Sequence, residues 1–332
     1  MRQRRFLLLA LVGAALAASV AGAATKDVKL SLVAYSTPRE AYNQLIPEFQ
    51  KTQPGDGVSF SQSYAASGDQ ARAVKAGLRA DIVALSLAPD VDELVAAGLV
   101  DAKWKRQSYK GMVTNSLVVF VVREGNPKKI RGWNDLIRPG VDVVTANPFT
   151  SGGARWNVMA AYGAQRKLGK TDKQAQDYLL KLFKNVVSQD KSARDSLQTF
   201  NAGRGDVLLA YENEALFARS RNQGFPFVIP RSTILIENPI AVLKTSDHKP
   251  EANAFLRFLR TPAAQRTFAE NGYRPVNKAV AREFTKKFPA RPGQFTIDQL
   301  GLGGWEKVQK RFFDPNNGVM ARIERQVGGA TG

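Results

Sequence analysis

The chain has 332 residues, 44% of them hydrophobic, with 48 lysines and arginines against 29 acids, one histidine and no cysteine. A disulfide framework and a Cys/His zinc centre are therefore excluded, and the hydrophobic fraction is that of a folded protein rather than a disordered one. The formal net charge of +19 attracts anions in general. Past the N-terminus, however, no run of Lys and Arg exceeds two residues and no basic helical stripe is interleaved with aromatics, so a nucleic-acid partner is not expected.

Arg2, Arg4 and Arg5 precede an apolar or small stretch, Phe6 to Val20, and Ala21-Gly22-Ala23 has the small-x-small form of a cleavage site. Residues 1–24 read as a signal peptide, cut after Ala23 or Ala24. Removing it takes away three arginines and no acids, leaving a mature charge of +16. An exported chain with no lipid-accepting cysteine is expected as a soluble periplasmic protein.

Strand and helix patterns alternate from there, the signature of an α/β fold. Val28 to Ala34 reads as a strand and Arg39 to Lys51 as a helix with Tyr42, Leu45, Ile46 and Phe49 on one face. Val58 and Phe60 mark a strand running into Ser63, followed by a helix from Gln70 to Leu78. Ile82 to Leu87 is a buried strand, and Val91, Leu94, Val95 and Leu99 form the next helix face. Asn115 to Arg123 is a strongly β-branched strand ended by Gly125-Asn126-Pro127, and Val141 to Thr145 is another. Helices are expected from Gly152 to about Leu168, Asp172 to Phe183 and Ala193 to Asn201. Then come a strand at Val207 to Tyr211, a helix from Glu212 to Arg221, and strands at Phe225 to Pro230 and Ile240 to Leu243. The remainder reads as helical: Pro250 to Leu259, Pro262 to Asn271, Asn277 to Phe284 and one helix from Trp305 to about Arg325. No linker composition marks a boundary. Two domains joined by crossing strands are expected, with 115–122 and 238–244 as the crossings.

Catalytic constellations are hard to build from this chain. His248 lies in the polar turn Ser246-Asp247-His248-Lys249-Pro250, so a Ser-His-Asp triad would depend on one loop histidine. Glu212 and Glu214 are two apart and point to different helix faces, which weakens a paired-carboxylate reading. Gly169-Lys170-Thr171 follows a helix and reads as a C-cap and an N-cap instead of a phosphate loop. Arg204-Gly205-Asp206 reads as an ordinary turn. No metal site and no cofactor are expected.

What recurs instead is a strand ending in small and hydroxylated residues, with a helix starting at once. The first turn of a helix leaves backbone N–H groups unpaired at the positive end of its dipole, so it can hold an oxyanion without a lysine or arginine. Asn147 to Trp156, with Ser151-Gly152-Gly153, is the strongest case. Ser63 to Gln70, Tyr35 to Glu40 and Asp190 to Arg194 are the others.

These segments resemble the sulfate-binding proteins of ABC importers, which have a type II periplasmic-binding fold. The resemblance runs over nearly all of the mature chain. It is carried by Tyr35 to Glu40, Gln62 to Leu78, Gly125-Asn126-Pro127, Trp133 to Ile137, Asn147 to Asn157, Leu182 to Val186, Asp206 to Ala215 and Gly303-Gly304-Trp305, with Ser-Gly-Gly-Ala-Arg-Trp-Asn the most specific string. It implies two α/β lobes around a ligand cleft: lobe I from 25–114 and 244–332, lobe II from 115–243. The positions matching the family's ligands are Ser36, Ser67, Ser151, Gly152, Gly153, Ala193 and Tyr211. Ser67 and Ser151 would donate hydroxyls; Ser36, Gly152, Gly153 and Ala193 would donate backbone N–H groups. The family usually has Asp in place of Ser36 and Trp in place of Tyr211. The implied role is capture of sulfate, or of thiosulfate through a similar pocket, and its delivery to an inner-membrane ABC permease; a monomer is the default expectation. An exported enzyme acting on a sulfated or phosphorylated small molecule is the alternative.

Overall fold

The structure, a computed structural model, describes residues 27–220 and 225–331. The expected signal peptide, 1–24, lies outside them. Among the described residues there are eleven strands: β1 (Val28–Tyr35), β2 (Val58–Ala65), β3 (Ile82–Ala84), β4 (Met112–Val122), β5 (Val143–Ala146), β6 (Val186–Asp190), β7 (Val207–Tyr211), β8 (Phe227–Val228), β9 (Thr233–Val242), β10 (Arg274–Pro275) and β11 (Gln294–Phe295). The α-helices are α1 (Arg39–Gln50), α2 (Ser67–Lys75), α3 (Ala88–Ala96), α4 (Gly152–Lys167), α5 (Asp172–Lys184), α6 (Ala193–Asn201), α7 (Glu212–Ser220), α8 (Lys249–Leu259), α9 (Pro262–Glu270), α10 (Lys278–Glu283), α11 (Gly304–Phe313) and α12 (Val319–Val327).

The main strands follow one another in the order β2-β1-β3-β9-β4-β7-β5-β6. β1, β2 and β3 are parallel, as are β7, β5 and β6. Between these two groups lie β4 and β9, antiparallel to each other and to their outer neighbours. Each of these long strands serves both halves. Leu117 and the residues before it in β4 pair with β9, whereas Val118 to Val122 pair with β7. Buried on both faces, β4 is a β-branched apolar run rather than an alternating one.

Each half buries its sheet on two sides. In the first, α1, α8 and α9 contribute to one apolar cluster, and α2 and α3 to another. In the second, α4, α5, α11 and α12 share a cluster, and α6 and α7 line the opposite face. Helix α4 is the central wedge. Residues 152–165 are all buried, and small residues let its backbone come close; a Cβ on Gly163 would sit 2.3 Å from the Phe295 ring.

Several expected boundaries shift. The helix expected at Gln70 begins at Ser67 and ends at Lys75. The strand expected over Phe225 to Pro230 shrinks to β8, and the one expected at Ile240 extends back to Thr233. The single C-terminal helix is broken into α11 and α12. Asp314 adopts an extended conformation before Pro315, which cannot continue the helical hydrogen bonding. Gly169 has the left-handed φ of a C-cap and Thr171 caps α5 in a box with Gln174, so this segment is a helix–helix joint as the sequence indicates.

Candidate functional site

Four helices that begin directly after strands point their N-termini at one small cavity. Its walls are Tyr35, Ser36 and Thr37 before α1, Ala66 and Ser67 at α2, Ser86 after β3, Ser151 and Gly153 at α4, Ala193 at α6 and Tyr211 at the end of β7. Six of the seven residues singled out in the sequence therefore line one space. The seventh, Gly152, is the first residue of α4, between Ser151 and Gly153. The centre of a water-sized sphere has about 10 Å³ in which to move, so the cavity admits one small object and no chain of atoms. Larger grooves of about 560 and 1010 Å³ are open to solvent and lie on other surfaces.

No side chain lining the cavity carries a charge. The groups facing it are hydroxyls and the first residues of helices, whose N–H groups have no partner within their own helix. Local capping shapes them. Ser192 and Asp195 form a capping box on α6, so the side chains at that terminus are used internally. The Ser151 hydroxyl accepts a long bond, 3.4 Å, from the Ala154 N–H. A Cβ on Gly153 would lie 3.3 Å from both the Ala193 Cβ and the Ser151 Oγ, and one on Gly152 would lie 2.2 Å from Leu87 Cδ2. Gly152 thus has no room for a side chain, and Gly153 has little.

The hydroxyls are tied into a buried network. Ser67 Oγ donates to Asp90 Oδ2 at 2.5 Å and accepts from the Ser86 N–H at 2.9 Å. With its hydroxyl proton on Asp90, Ser67 presents to the cavity chiefly its own N–H. Tyr211 Oη lies 2.6 Å from Ser86 Oγ, and the Ser86 carbonyl accepts from Trp156 Nε1 and Asn238 Nδ2, each at 2.9 Å. Trp156 is held edge-on against Trp305. Burial raises the Tyr211 hydroxyl far above its ordinary titration range, so it remains a proton donor.

Charged pairs surround the neutral lining and tie the halves together. Asp90 on α3 pairs with Arg155 on α4 at 3.0 Å. Burial pushes the Asp90 carboxyl up, against the pull of Arg155 and of the Ser67 hydroxyl. Arg194 on α6 binds Glu40 on α1, with contacts at 2.9 and 3.1 Å, and Glu214 on α7 at 2.8 and 3.0 Å. Gly68 N–H donates to the Thr150 carbonyl at 3.0 Å, and Lys191 reaches Asp69 at 3.3 Å. The sequence reading did not find Ser86 or these pairs. Ser86 had a signal, since it too is a hydroxyl at a strand end before a helix start, Leu87-Ala88-Pro89. The ion pairs had none, because their partners lie far apart in the chain.

The two glutamates considered as a catalytic pair are separated by their partners. Glu212 pairs with Arg274, contacting it at 2.6 and 3.0 Å, while Glu214 pairs with Arg194. Among the described residues no group of three or more His, Cys, Asp and Glu is placed to hold a metal ion, and no helix is long and apolar enough to cross a membrane.

Comparison with known proteins identifies the family. Residues 30–274 match the family model described as bacterial extracellular solute-binding protein. A sulfate-binding protein of Synechococcus elongatus is 42% identical over 320 residues, which cover 94% of this chain and 91% of that protein. A thiosulfate-binding protein of Pseudomonas aeruginosa is 34% identical, covering 93% and 96%. Among solved structures, the sulfate-binding protein SubI from Mycobacterium tuberculosis H37Rv superposes with a TM-score of 0.83 at 42% identity, covering 86% of this chain and all of that one. A periplasmic thiamin binding protein, 15% identical with a TM-score of 0.69, shares the two-lobed architecture alone. With cavity, fold and relatives in accord, the chain belongs to the bacterial extracellular solute-binding proteins.

Proposed function

We propose that this protein captures sulfate in the periplasm, after cleavage of its N-terminal segment, and delivers it to an inner-membrane ABC permease. Thiosulfate is the second candidate ligand. The observation that carries this reading is the convergence of four helix N-termini and a tyrosine hydroxyl on one small cavity with no charged side chain in its walls. The proposed ligands are Ser36, Ser67, Ser151, Gly152, Gly153, Ala193 and Tyr211. A hydrogen bond to a charged group nets about 1.5–3 kcal/mol, so seven at the lower value supply about 10 kcal/mol before ordering costs. Micromolar binding needs about 8 kcal/mol.

The relatives are named as binding proteins. The lining offers no imidazole, carboxylate or amine to act as acid, base or nucleophile, which favours holding an anion over transforming one. For the lobes we propose 25–114 and 244–332 against 115–243, hinged at β4 and β9. One adjustment follows from packing. Helices α11 and α12 share their apolar cluster with α4 and α5, and we place them with the second lobe.

Calorimetric titration with sulfate, thiosulfate, phosphate and molybdate tests the reading. Near neutral pH phosphate still carries a proton that needs an acceptor, and Asp90, the carboxylate bonded to the lining residue Ser67, already serves Ser67 and Arg155. Leaving that proton unpaired costs about 1–3 kcal/mol. Sulfate is therefore expected to bind roughly tenfold to a hundredfold more tightly than phosphate. Equal affinities, or no heat with sulfate, refute it.

A further inference from the structure

Tyr211 has one hydroxyl proton and two claimants for it, the cavity and Ser86. We infer that Ser86 is a positioning residue: its hydroxyl donates to Tyr211 Oη and thereby turns the single tyrosine proton toward the bound anion. The inference rests on the anion-binding reading and deepens it.

The geometry around Ser86 leaves its side chain little choice. The residue is 1% exposed. Its N–H is given to Ser67 Oγ, and its carbonyl receives both Trp156 and Asn238. Three bonds hold its main chain in place, and its Oγ lies 2.6 Å from Tyr211 Oη. Both residues line the cavity. The tyrosine ring is also confined, being 1% exposed. With the two oxygens in hydrogen-bond contact, what matters is the direction of the two protons.

Two arrangements satisfy the pair. In one, Tyr211 donates to Ser86 and the serine proton faces the cavity. In the other, Ser86 donates to Tyr211 and the phenolic proton faces the cavity. A phenol is the more acidic hydroxyl and hence the stronger donor to an anion. Accepting a hydrogen bond from Ser86 polarises it further, because bonds in a chain strengthen one another. A dianion in the cavity selects the second arrangement.

This gives Ser86 a role that the helix-start pattern does not predict. An indole has one N–H fixed in its ring plane and donates in one direction without help. A hydroxyl rotates, and its proton needs a neighbour to set it. Tyrosine at position 211 therefore calls for a partner such as Ser86.

The test is a double-mutant cycle read by calorimetry with sulfate, using Ser86→Ala, Tyr211→Phe and the double variant of the full-length mature protein. Sulfate binding by the unsubstituted protein comes first; if it is absent, the proposed function has failed and not this inference. Given binding, Tyr211→Phe is expected to weaken Kd about tenfold to a hundredfold. Ser86→Ala is expected to weaken it roughly threefold to tenfold, the share carried by polarisation and orientation. The double variant should match Tyr211→Phe within about twofold, because Ser86 acts only through the tyrosine. A merely structural serine, or one that touches the anion itself, would weaken both backgrounds alike, and that result overturns the inference. So does a Ser86→Ala variant that binds as tightly as the parent. If Ser86→Ala does not fold, Ser86→Cys keeps the bulk with a poorer donor and must show the same dependence on Tyr211.

Discussion

Replacing Gly152 by alanine tests whether the site closes by direct contact between the halves. The new methyl would lie 2.2 Å from Leu87 Cδ2, 2.7 Å from Ser86 Oγ and 2.8 Å from Ser86 Cβ. Leu87 is fully buried and has nowhere to retreat, and the Ser86 backbone is held by three hydrogen bonds. Ser86 and Leu87 follow β3 on one side of the cavity, while Gly152 opens α4 on the other. The cheapest relief is for the two sides to part slightly, so the cost falls on the closed, liganded state. Overpacking of this kind costs about 1–3 kcal/mol, which corresponds to a Kd roughly fivefold to 150-fold weaker. Calorimetry with sulfate measures it, and a thermal melt without ligand reports whether each half is still sound. Gly153→Ala is the control: its Cβ meets Ala193, Ser151 and Tyr211 at 3.3–3.5 Å, tight but relievable, and should cost less. Unchanged sulfate affinity in Gly152→Ala would refute the account of closure. So would a loss of ligand-free stability as large as the loss in binding.

Two further substitutions probe buried charge. Glu324 is fully buried, with Oε1 unpartnered while Oε2 accepts from Gln189, whose own Oε1 is also unpartnered. Burial raises its carboxyl, so ionisation at neutral pH costs stability, and the parent should gain stability as pH falls from 7 toward 5. Glu324→Gln removes the buried ionisable group; it should add about 1–3 kcal/mol at pH 7 and reduce that pH dependence, as thermal melts at the two pH values will show. Arg194→Met removes the partner of Glu214, whose carboxyl burial already pushes up against the pull of Arg194. It should cost roughly 3–5 kcal/mol at pH 7 in chemical denaturation, part of it recovered near pH 5 as Glu214 takes up a proton.

The sequence revealed the parts of the site governed by local chemistry. Ser151-Gly152-Gly153 and Lys191-Ser192-Ala193 announce helix starts because capping and close approach demand small and hydroxylated residues within a few positions of one another. Tyr211 was legible as a strand end. The direction of the Ser67 hydroxyl was not, because Asp90, which accepts its hydrogen bond, lies 23 residues away on another helix. Arg194 and Glu40 are 154 residues apart and meet only in the folded chain. The break between α11 and α12 was readable at Asp314-Pro315 but was masked by the helical spacing on either side. The place of these helices against α4 and α5 depends on packing that no local pattern records.

The uncharged cavity wall has a consequence for the chemistry of exchange with the surroundings. The partial charges at helix ends belong to peptide groups, which neither gain nor lose protons between acid and neutral conditions. The only titratable groups in the wall are Tyr35 and Tyr211, both held protonated by burial. A sulfate held there, as proposed, would draw no proton from the wall itself and give none to it. Neutral walls also leave no counter-ion to be shed on entry or regained on release. On this reading the ion would arrive and leave as the same chemical species, and shedding and restoring its water would be a main part of the work of exchange.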